Sequence, residues 1–403
     1  MKPAQAPAIT DLHDIYRRRV PKMFYDYCET GSYTTSTFVD NTTAFAKYKL
    51  RQRVARNIDG RSLKTTMLGE AASMPIALAP VGSTGMQHAD GEILAARAAE
   101  AFGVPFTLST MSVCSLEEVA KNVSKPFWFQ LYVMRDREFT KRLVQRAKDA
   151  KCSALVLTLD LQILAQRHND IRNGLSTPPR VTLPNLINMM TRPRWCMGML
   201  ATKNRTFGNI IGHVKDVGNI ADLSHWANSQ FDQTLDWSSV DYIRSLWGGK
   251  LLLKGINDVE DAKIAAKLGT DGIIVSNHGG RQLDGAPATI DMLAPIVDAV
   301  GDKTNVYFDS GIRTGMDVMK AMAMGAKGTF IGRAYSYGLG AAGQAGVTRA
   351  LEILRGELDI TMALCGETDI NKVGRHNLLM PPAPFVIPEP LKNAPAKPRR
   401  PQR

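Results

Sequence analysis

The sequence predicts an α/β fold: a (β/α)8 TIM barrel with an N-terminal extension, a long loop after strand four and a C-terminal helix. Three observations predict it. From about Met74, short apolar runs alternate with helix-like segments, the pattern of βα units feeding a parallel sheet. There are eight such runs, the number that closes a barrel. Nearly every run ends in a polar or charged residue, where a barrel of this kind builds its reactive face.

The elements follow in order. Residues 1 to about 73 precede the barrel and must cap it or reach its mouth. Strands are expected at IALAP from Ile76, PFTLS from Pro105, FWFQLY from Phe127 and ALVLTLD from Ala154. The other four are LLLKG from Leu251, GIIVSNH from Gly272, VYFDSG from Val306 and GTFIGR from Gly328. Each is nearly all apolar, as a strand covered on both faces must be. Between them GEILAARAAEAF, SLEEVAKNV, REFTKRLVQRAKDA, DVEDAKIAAKLG and GMDVMKAMAMGA read as helices. VTRALEILRGELDITMALC reads as a closing amphipathic helix. An open doubly wound sheet is the competing topology, but no glycine fingerprint follows the first strand. One domain is expected over 1–380, with its barrel core at about 74–342, then a proline-rich basic tail over 381–403.

Composition excludes several classes. A 44% hydrophobic and 22% charged chain builds a core and is not disordered. No apolar run is long enough for a membrane-spanning helix. The start, MKPAQAPAITDLHDIYRRRV, lacks the apolar stretch of a secretory signal, so a cytoplasmic location is expected. The five cysteines are scattered, with no zinc spacing, and read as reduced, packed thiols. No metal is expected. The net charge of +12 raises the question of nucleic acid, but no RNP, helix-turn-helix or zinc-finger pattern accompanies it. Part of that charge lies in the tail. Another part lies between Asp170 and Asp216, a stretch with seven Lys or Arg and no acid.

That stretch belongs to the connection from Asp160 to about Ser238, far longer than an ordinary βα loop. It also carries Leu183, Ile187, Met189, Met190, Trp195 and Leu200 among its apolar residues. An apolar set with basic flanks suits an anionic membrane surface. The competing reading has these side chains covering the barrel mouth or a neighbouring subunit, and Pro178, Pro179, Pro184 and Pro193 forbid one long helix.

Two strings carry the chemistry. In SNHGGRQLDG, from Ser276, His278 follows a buried strand and stands three residues before Arg281. An isolated histidine is more often a packed residue than a catalyst. Here the neighbouring glycines admit a ligand, imidazole serves as a base near neutral pH, and a guanidinium grips a carboxylate with paired bonds. In DSGIRTGMDVMKAMAMGAKGTFIGR, from Asp309, Gly311 and Arg313 follow strand seven, and Gly332 and Arg333 follow strand eight. Those two loops commonly bind phosphate in such barrels.

With FQLY and the DYCETG run, these strings resemble the FMN-dependent α-hydroxy-acid dehydrogenase and oxidase family, from about Pro21 to Gly366. The run LTLDLQILAQRHNDIRN is most similar to the bacterial respiratory L-lactate dehydrogenases. The resemblance implies FMN and an (S)-2-hydroxy acid, with L-lactate oxidised to pyruvate as the leading reaction. A quinone or cytochrome would take the electrons. An oxygen-using oxidase or a mandelate-type dehydrogenase is the alternative, and a non-catalytic flavin-binding protein a distant one. It further implies a homo-tetramer and, because related membrane-bound enzymes carry an apolar insertion at this point, peripheral attachment to the inner face of the cell membrane.

Roles carry over position by position. His278 matches the base and Asp160 the carboxylate that steadies its imidazolium. Arg281 and Tyr27 match the groups that bind the substrate carboxylate. Tyr132 matches the tyrosine near the substrate hydroxyl, and Arg167 a second, mobile arginine. Lys254 matches the lysine beside the flavin's reducible edge. Pro80, Val81 and Gly82 match the segment facing the flavin, and Ser109, Gln130, Thr158 and Ser276 its polar ring contacts. Asp309, Gly311, Arg313, Gly332 and Arg333 match the ribityl and phosphate site. Ser310, Met111, Leu161 and Gln162 depart from parts of the family, and they bear on substrate identity rather than on the reaction.

Overall fold

The computed structural model describes residues 1–175, 182–213 and 230–379. The tail expected over 381–403, and Pro178 and Pro179, lie outside them.

All eight expected strands are present: β1 (Ile76–Leu78), β2 (Thr107–Ser109), β3 (Trp128–Leu131), β4 (Ala154–Thr158), β5 (Lys250–Ile256), β6 (Gly272–Val275), β7 (Asn305–Asp309) and β8 (Thr329–Ile331). Neighbours pair in parallel in chain order from β2 to β8, and β8 returns beside β1 with Thr329 opposite Ile76. A parallel bridge between Leu78 and Phe106 closes the ring. The topology is therefore a barrel and not an open sheet.

Alternation along each strand divides its residues between two apolar layers. Ala77, Trp128, Val156, Leu252, Ile274 and Phe330 pack inside the barrel. Leu78, Phe129, Leu155, Leu253, Val275 and Ile331 belong to the larger core beneath the helices. This two-sided burial is why the strands read as unbroken apolar runs.

The N-terminal extension does both things expected of it. Helices Ile9–Arg19 and Lys22–Cys28 lead to the mouth, where Ser32 N–H donates to Gly280 O at 3.0 Å. A hairpin, Thr65–Met67 with Glu70–Ala72, plugs the other end, with Met67 and Leu68 in the inner core and Leu68 N–H donating to the Tyr307 hydroxyl. The expected crossover helices are present with small shifts at their ends, for example Gly91–Phe102 and Arg137–Asp149. One more, Thr289–Val300, contains Pro295. In the long loop the prolines do keep the chain from forming one long helix, and they start two short ones: Leu183–Met190 has Pro184 and Pro193–Ala201 has Pro193 in its first turn. The closing helix is longer than expected, Arg333–Leu364, with non-helical backbone at Ala342 and Gly343.

Candidate active site

The strands' C-terminal ends surround a cavity of about 820 Å³. At the end of β6 the backbone turns left-handed for three residues, with φ +59° at His278, +67° at Gly279 and +73° at Gly280. A residue other than glycine enters that region uncommonly, histidine more readily than most, and the geometry is held by what surrounds it. The backbone at Gly279 favours glycine, and a Cβ there would stand 2.7 Å from Arg333 Nη1 and displace that guanidinium.

The turn aims His278 at Asp160, which follows β4. His278 Nδ1 lies 2.9 Å from Asp160 Oδ1. A carboxylate only accepts, so Nδ1 carries the hydrogen and Nε2 the free lone pair. The Tyr132 hydroxyl is 3.4 Å from Nε2. Burial lowers the His278 pKa below its ordinary value; Asp160 pulls it back up, and Lys254 and Arg167 depress it further. Burial by itself would raise Asp160, but His278 and Lys254 more than offset it and hold that carboxyl low. A neutral imidazole beside a carboxylate anion is a base ready to take a proton. Burial, then Asp160, push the Tyr132 phenol up, so it stays a hydrogen-bond donor.

Facing this pair is an arginine with a hand half free. Arg281 Nη1 donates to Tyr27 O and, at 3.2 Å, to Thr30 O. Its guanidinium lies 4.6 Å above the Tyr27 ring. Among the described residues its Nη2 is buried without a hydrogen-bond partner, and the carboxylate of Asp170 is 3.9 Å away. Arg167 donates through Nε to Arg281 O at 3.3 Å, which ties the two arginines together. Burial, then Arg281, lower Arg167 to about 10, still cationic at neutral pH.

Deeper in the cavity, Lys254 Nζ bonds Ser276 Oγ at 2.9 Å and Asp309 Oδ2 at 3.2 Å. Ser276 itself donates to Asp309 at 2.7 Å. Arg313 and Arg333 follow β7 and β8, and Gly332 and Arg333 open the long C-terminal helix, whose N-terminus favours anions. Arg313 donates to Ile312 O at 2.8 Å, which leaves most of its donors for a phosphate. Arg333 is more committed than expected. It bonds Cys28 O at 2.8 Å, Gly279 O at 3.0 Å and Thr30 O at 2.9 Å, stapling the N-terminal segment to the mouth.

The cavity wall includes Tyr27, Tyr132, Arg167, His278 and Arg281 on one side. Pro80, Val81, Gly82, Ser109 and Lys254 line it further in, and Asp309, Gly311, Arg313, Gly332 and Arg333 complete it. Asp160, Gln130, Thr158 and Ser276 stand behind the wall. Gln130 bonds Thr158 Oγ1 at 3.0 Å and Ser109 Oγ at 3.2 Å, so these three form one strand-end network. Three further residues were not singled out from the sequence. Phe231 packs edge-on against Tyr132 at 6.0 Å. Gln282 Nε2 bonds Asp160 O at 2.7 Å and Ile163 O at 2.9 Å, which sets the loop after β4. Asp170 lies in the short helix His168–Arg172 that Arg167 caps, three residues after it, and that spacing was its only signal.

The residues fit a flavin mononucleotide. A buried lysine stands by a polar strand-end network, cations and a helix N-terminus mark a phosphate end, and glycine at 332 keeps the slot beside Val81 open. A Cβ there would stand 3.5 Å from Val81 Cγ2. Such a barrel, with a His–Asp base facing a half-free arginine, has the makings of a flavin-dependent oxidoreductase.

The comparisons identify which. The sequence profile described as FMN-dependent dehydrogenase matches residues 16–380. The L-lactate dehydrogenase of Stenotrophomonas maltophilia is 42% identical over 373 residues, 92% of this chain and 98% of that protein. That of Azorhizobium caulinodans is 43% identical over 364 residues, 90% of this chain and 96% of that protein. The solved structure of the monotopic membrane protein (S)-mandelate dehydrogenase matches with a TM-score of 0.89 at 33% identity, over 93% of this chain and 99% of that one. Mandelate oxidase with (S)-4-hydroxymandelic acid matches at 0.79 and 36%, over 93% and 98%. The chain belongs to the FMN-dependent dehydrogenase family. It is an oxidoreductase whose cofactor is FMN.

Proposed function

We propose that the protein oxidises an (S)-2-hydroxy acid, foremost L-lactate to pyruvate, and passes the electrons to a quinone or cytochrome. The observation that carries this reading is the convergence of the His278 lone pair and the free Nη2 of Arg281 on one cavity, with Tyr132 between cavity and base. Arg281, with Tyr27, holds the substrate carboxylate. Each charge-assisted bond in such a clamp is worth roughly 1.5–3 kcal/mol net. The clamp places the hydroxyl-bearing carbon beside His278.

Oxidation to the 2-oxo acid removes two electrons and two protons, and His278 Nε2 accepts one of the protons. Asp160 then stabilises the imidazolium and keeps the ring oriented. Bound FMN would supply the acceptor for the two electrons and the remaining proton. Lys254, Ser109, Gln130, Thr158 and Ser276 would hold its ring against Pro80, Val81 and Gly82, and Asp309, Gly311, Arg313, Gly332 and Arg333 its ribityl phosphate. Lys254 is a fixed cation that counters negative charge with no reorganisation.

A mandelate-type reading is favoured by one feature, the apolar side of the cavity, where Met86, Leu161, Leu164, Phe207 and Phe231 leave room for a larger substituent. The protein is further proposed to be a homo-tetramer, cytoplasmic, and peripheral on the inner face of the cell membrane. Attachment is supported by an exposed apolar face and by a structural relative described as monotopic. No helix among the described residues is long and apolar enough to cross a membrane.

Anaerobic titration of purified holoenzyme with a panel of (S)-2-hydroxy acids tests the reading. L-lactate is expected to bleach the flavin fastest. Faster bleaching by (S)-mandelate moves the assignment to the mandelate type, and no bleaching by any (S)-2-hydroxy acid overturns it.

A further inference from the structure

Asp170 has no part in the chemistry so far, yet it lines the same cavity. It is 9% exposed, and its Oδ2 lies 3.9 Å from Arg281 Nη2. That is too long for a hydrogen bond but close enough for a strong interaction through a poorly solvated gap. Arg281 Nη2, which faces Asp170 Oδ2, is buried without a hydrogen-bond partner among the described residues, and so is the other oxygen of that carboxylate, Oδ1. The open donor of the buried guanidinium marks a place where an acceptor enters.

Charge counting says what that group is. Arg281 and Arg167 are two cations tied together in one buried patch, and Asp170 is the carboxylate facing them. Asp160 is engaged with His278, and Asp309 with Lys254 and Ser276. The patch therefore carries one uncompensated positive charge, and a substrate monocarboxylate neutralises it. Without Asp170 there would be two. The entering anion would then be held more tightly, and so would the 2-oxo acid that must leave by the same clamp.

We propose that Asp170 is the resting counter-ion of the substrate clamp: it faces the free Nη2 of Arg281, repels the incoming carboxylate and keeps product release fast. Its neighbours on other elements fit this. The backbone holds it in place, with Leu175 N–H donating to Asp170 O at 2.8 Å. The nearby Asp26 is engaged with Lys22 and Asn173. The proposal rests on the reading of Arg281 as the carboxylate clamp.

Oxalate, a carboxylate the enzyme cannot oxidise by this route, is titrated into the FMN holoenzyme and followed by the flavin absorbance and by calorimetry. In Asp170→Asn its affinity is expected to rise roughly tenfold, as removal of one like charge at close range predicts. The KM for the substrate falls, and kcat falls relative to the single-turnover rate of flavin reduction as release becomes slower. A purely structural role would weaken oxalate binding, the opposite direction. Unchanged or weaker binding in Asp170→Asn overturns the proposal, and Asp170→Ser decides it should the first variant not hold FMN. Arg281→Lys separates the two layers: it weakens oxalate binding if the clamp reading holds. If Arg281→Lys leaves oxalate affinity untouched, the clamp reading itself fails.

Discussion

His278 is asked to be neutral while buried beside two cations and an anion. Burial depresses its pKa most, Asp160 raises it, and Lys254 and Arg167 lower it again, with the net below 6.5. The free base is the active form, so kcat/KM is full above that lowered value and falls as the pH drops through it. The acid limb of the profile is therefore expected below pH 6.5; a limb above it contradicts the burial argument. His278→Gln should keep FMN but slow flavin reduction by more than the ~10²–10⁴ that acid–base help alone supplies. The excess arises because Asp160, whose Oδ2 already lacks a partner, is left as a buried charge facing no cationic ring. Near-normal single-turnover reduction in that variant would remove His278 from its role. This histidine was legible in the sequence because its string is dense with glycine around two polar groups. Asp170 was not, because its meaning lies in a contact with Arg281 across more than a hundred residues of chain. The triple carbonyl staple of Arg333 was equally hidden, since main-chain acceptors leave no mark on a sequence.

At the scale of elements, the strands were legible because burial on both faces leaves few polar positions inside them, and the barrel followed from their number. The Thr289–Val300 helix was not anticipated, because Pro295 and an almost wholly apolar composition hide its period. The first half of the closing helix was missed for a related reason. Its glycines weaken a helical pattern, yet a Cβ on Gly338 would stand 2.2 Å from Gly346 O, so the smallness of these residues is what lets the two halves of that helix pack. The loop after β7, expected from the sequence to hold phosphate, turns tightly at Gly311, and it gives a test. Gly311 has φ +94°, and a Cβ there would stand 1.9 Å from Asn41 O, a backbone atom that cannot swing aside. Gly311→Ala should cost at least about 1–2 kcal/mol from the left-handed backbone alone. The shift forced on the Asn41 segment adds to this and disturbs the phosphate end of the cavity. A lower melting temperature and less flavin per protein are expected; an alanine variant matching the parent in both would mean the turn relaxes freely.

For the whole molecule, the open question is what covers the face built by Leu183–Met190 and Pro193–Ala201. Leu183 is 69% exposed, Leu200 74%, and Met190 and Met197 62% each. Not every residue expected on this face lies there. Trp195 turns inward, stacked on Phe24 at 5.4 Å and bonded to Met86 O, and Met189 lines the cavity. The helix pair is thus anchored to the barrel mouth by one side and presents the other. Its cations are also unequal: Lys203 pairs with Glu118, while Arg192 and Arg194 have no ion pair among the described residues, and Arg180 and Lys215 lie outside them. An anionic leaflet contributes about 1 kcal/mol per nearby cation, enough to hold the protein only together with the apolar face. The protein should therefore sediment with anionic vesicles at low salt and be released as salt rises. Deleting the helix pair would strip Trp195 from Phe24 and Met189 from the cavity, so the sharper variant changes Leu183, Met190, Met197 and Leu200 to Glu together. It should stay in solution while L-lactate still bleaches its flavin at the parent rate. Soluble quinone analogues should turn the parent over faster than oxygen does. A parent protein that ignores anionic vesicles at low salt and reacts fastest with oxygen is a soluble oxidase, and the exposed helix pair then needs another occupant.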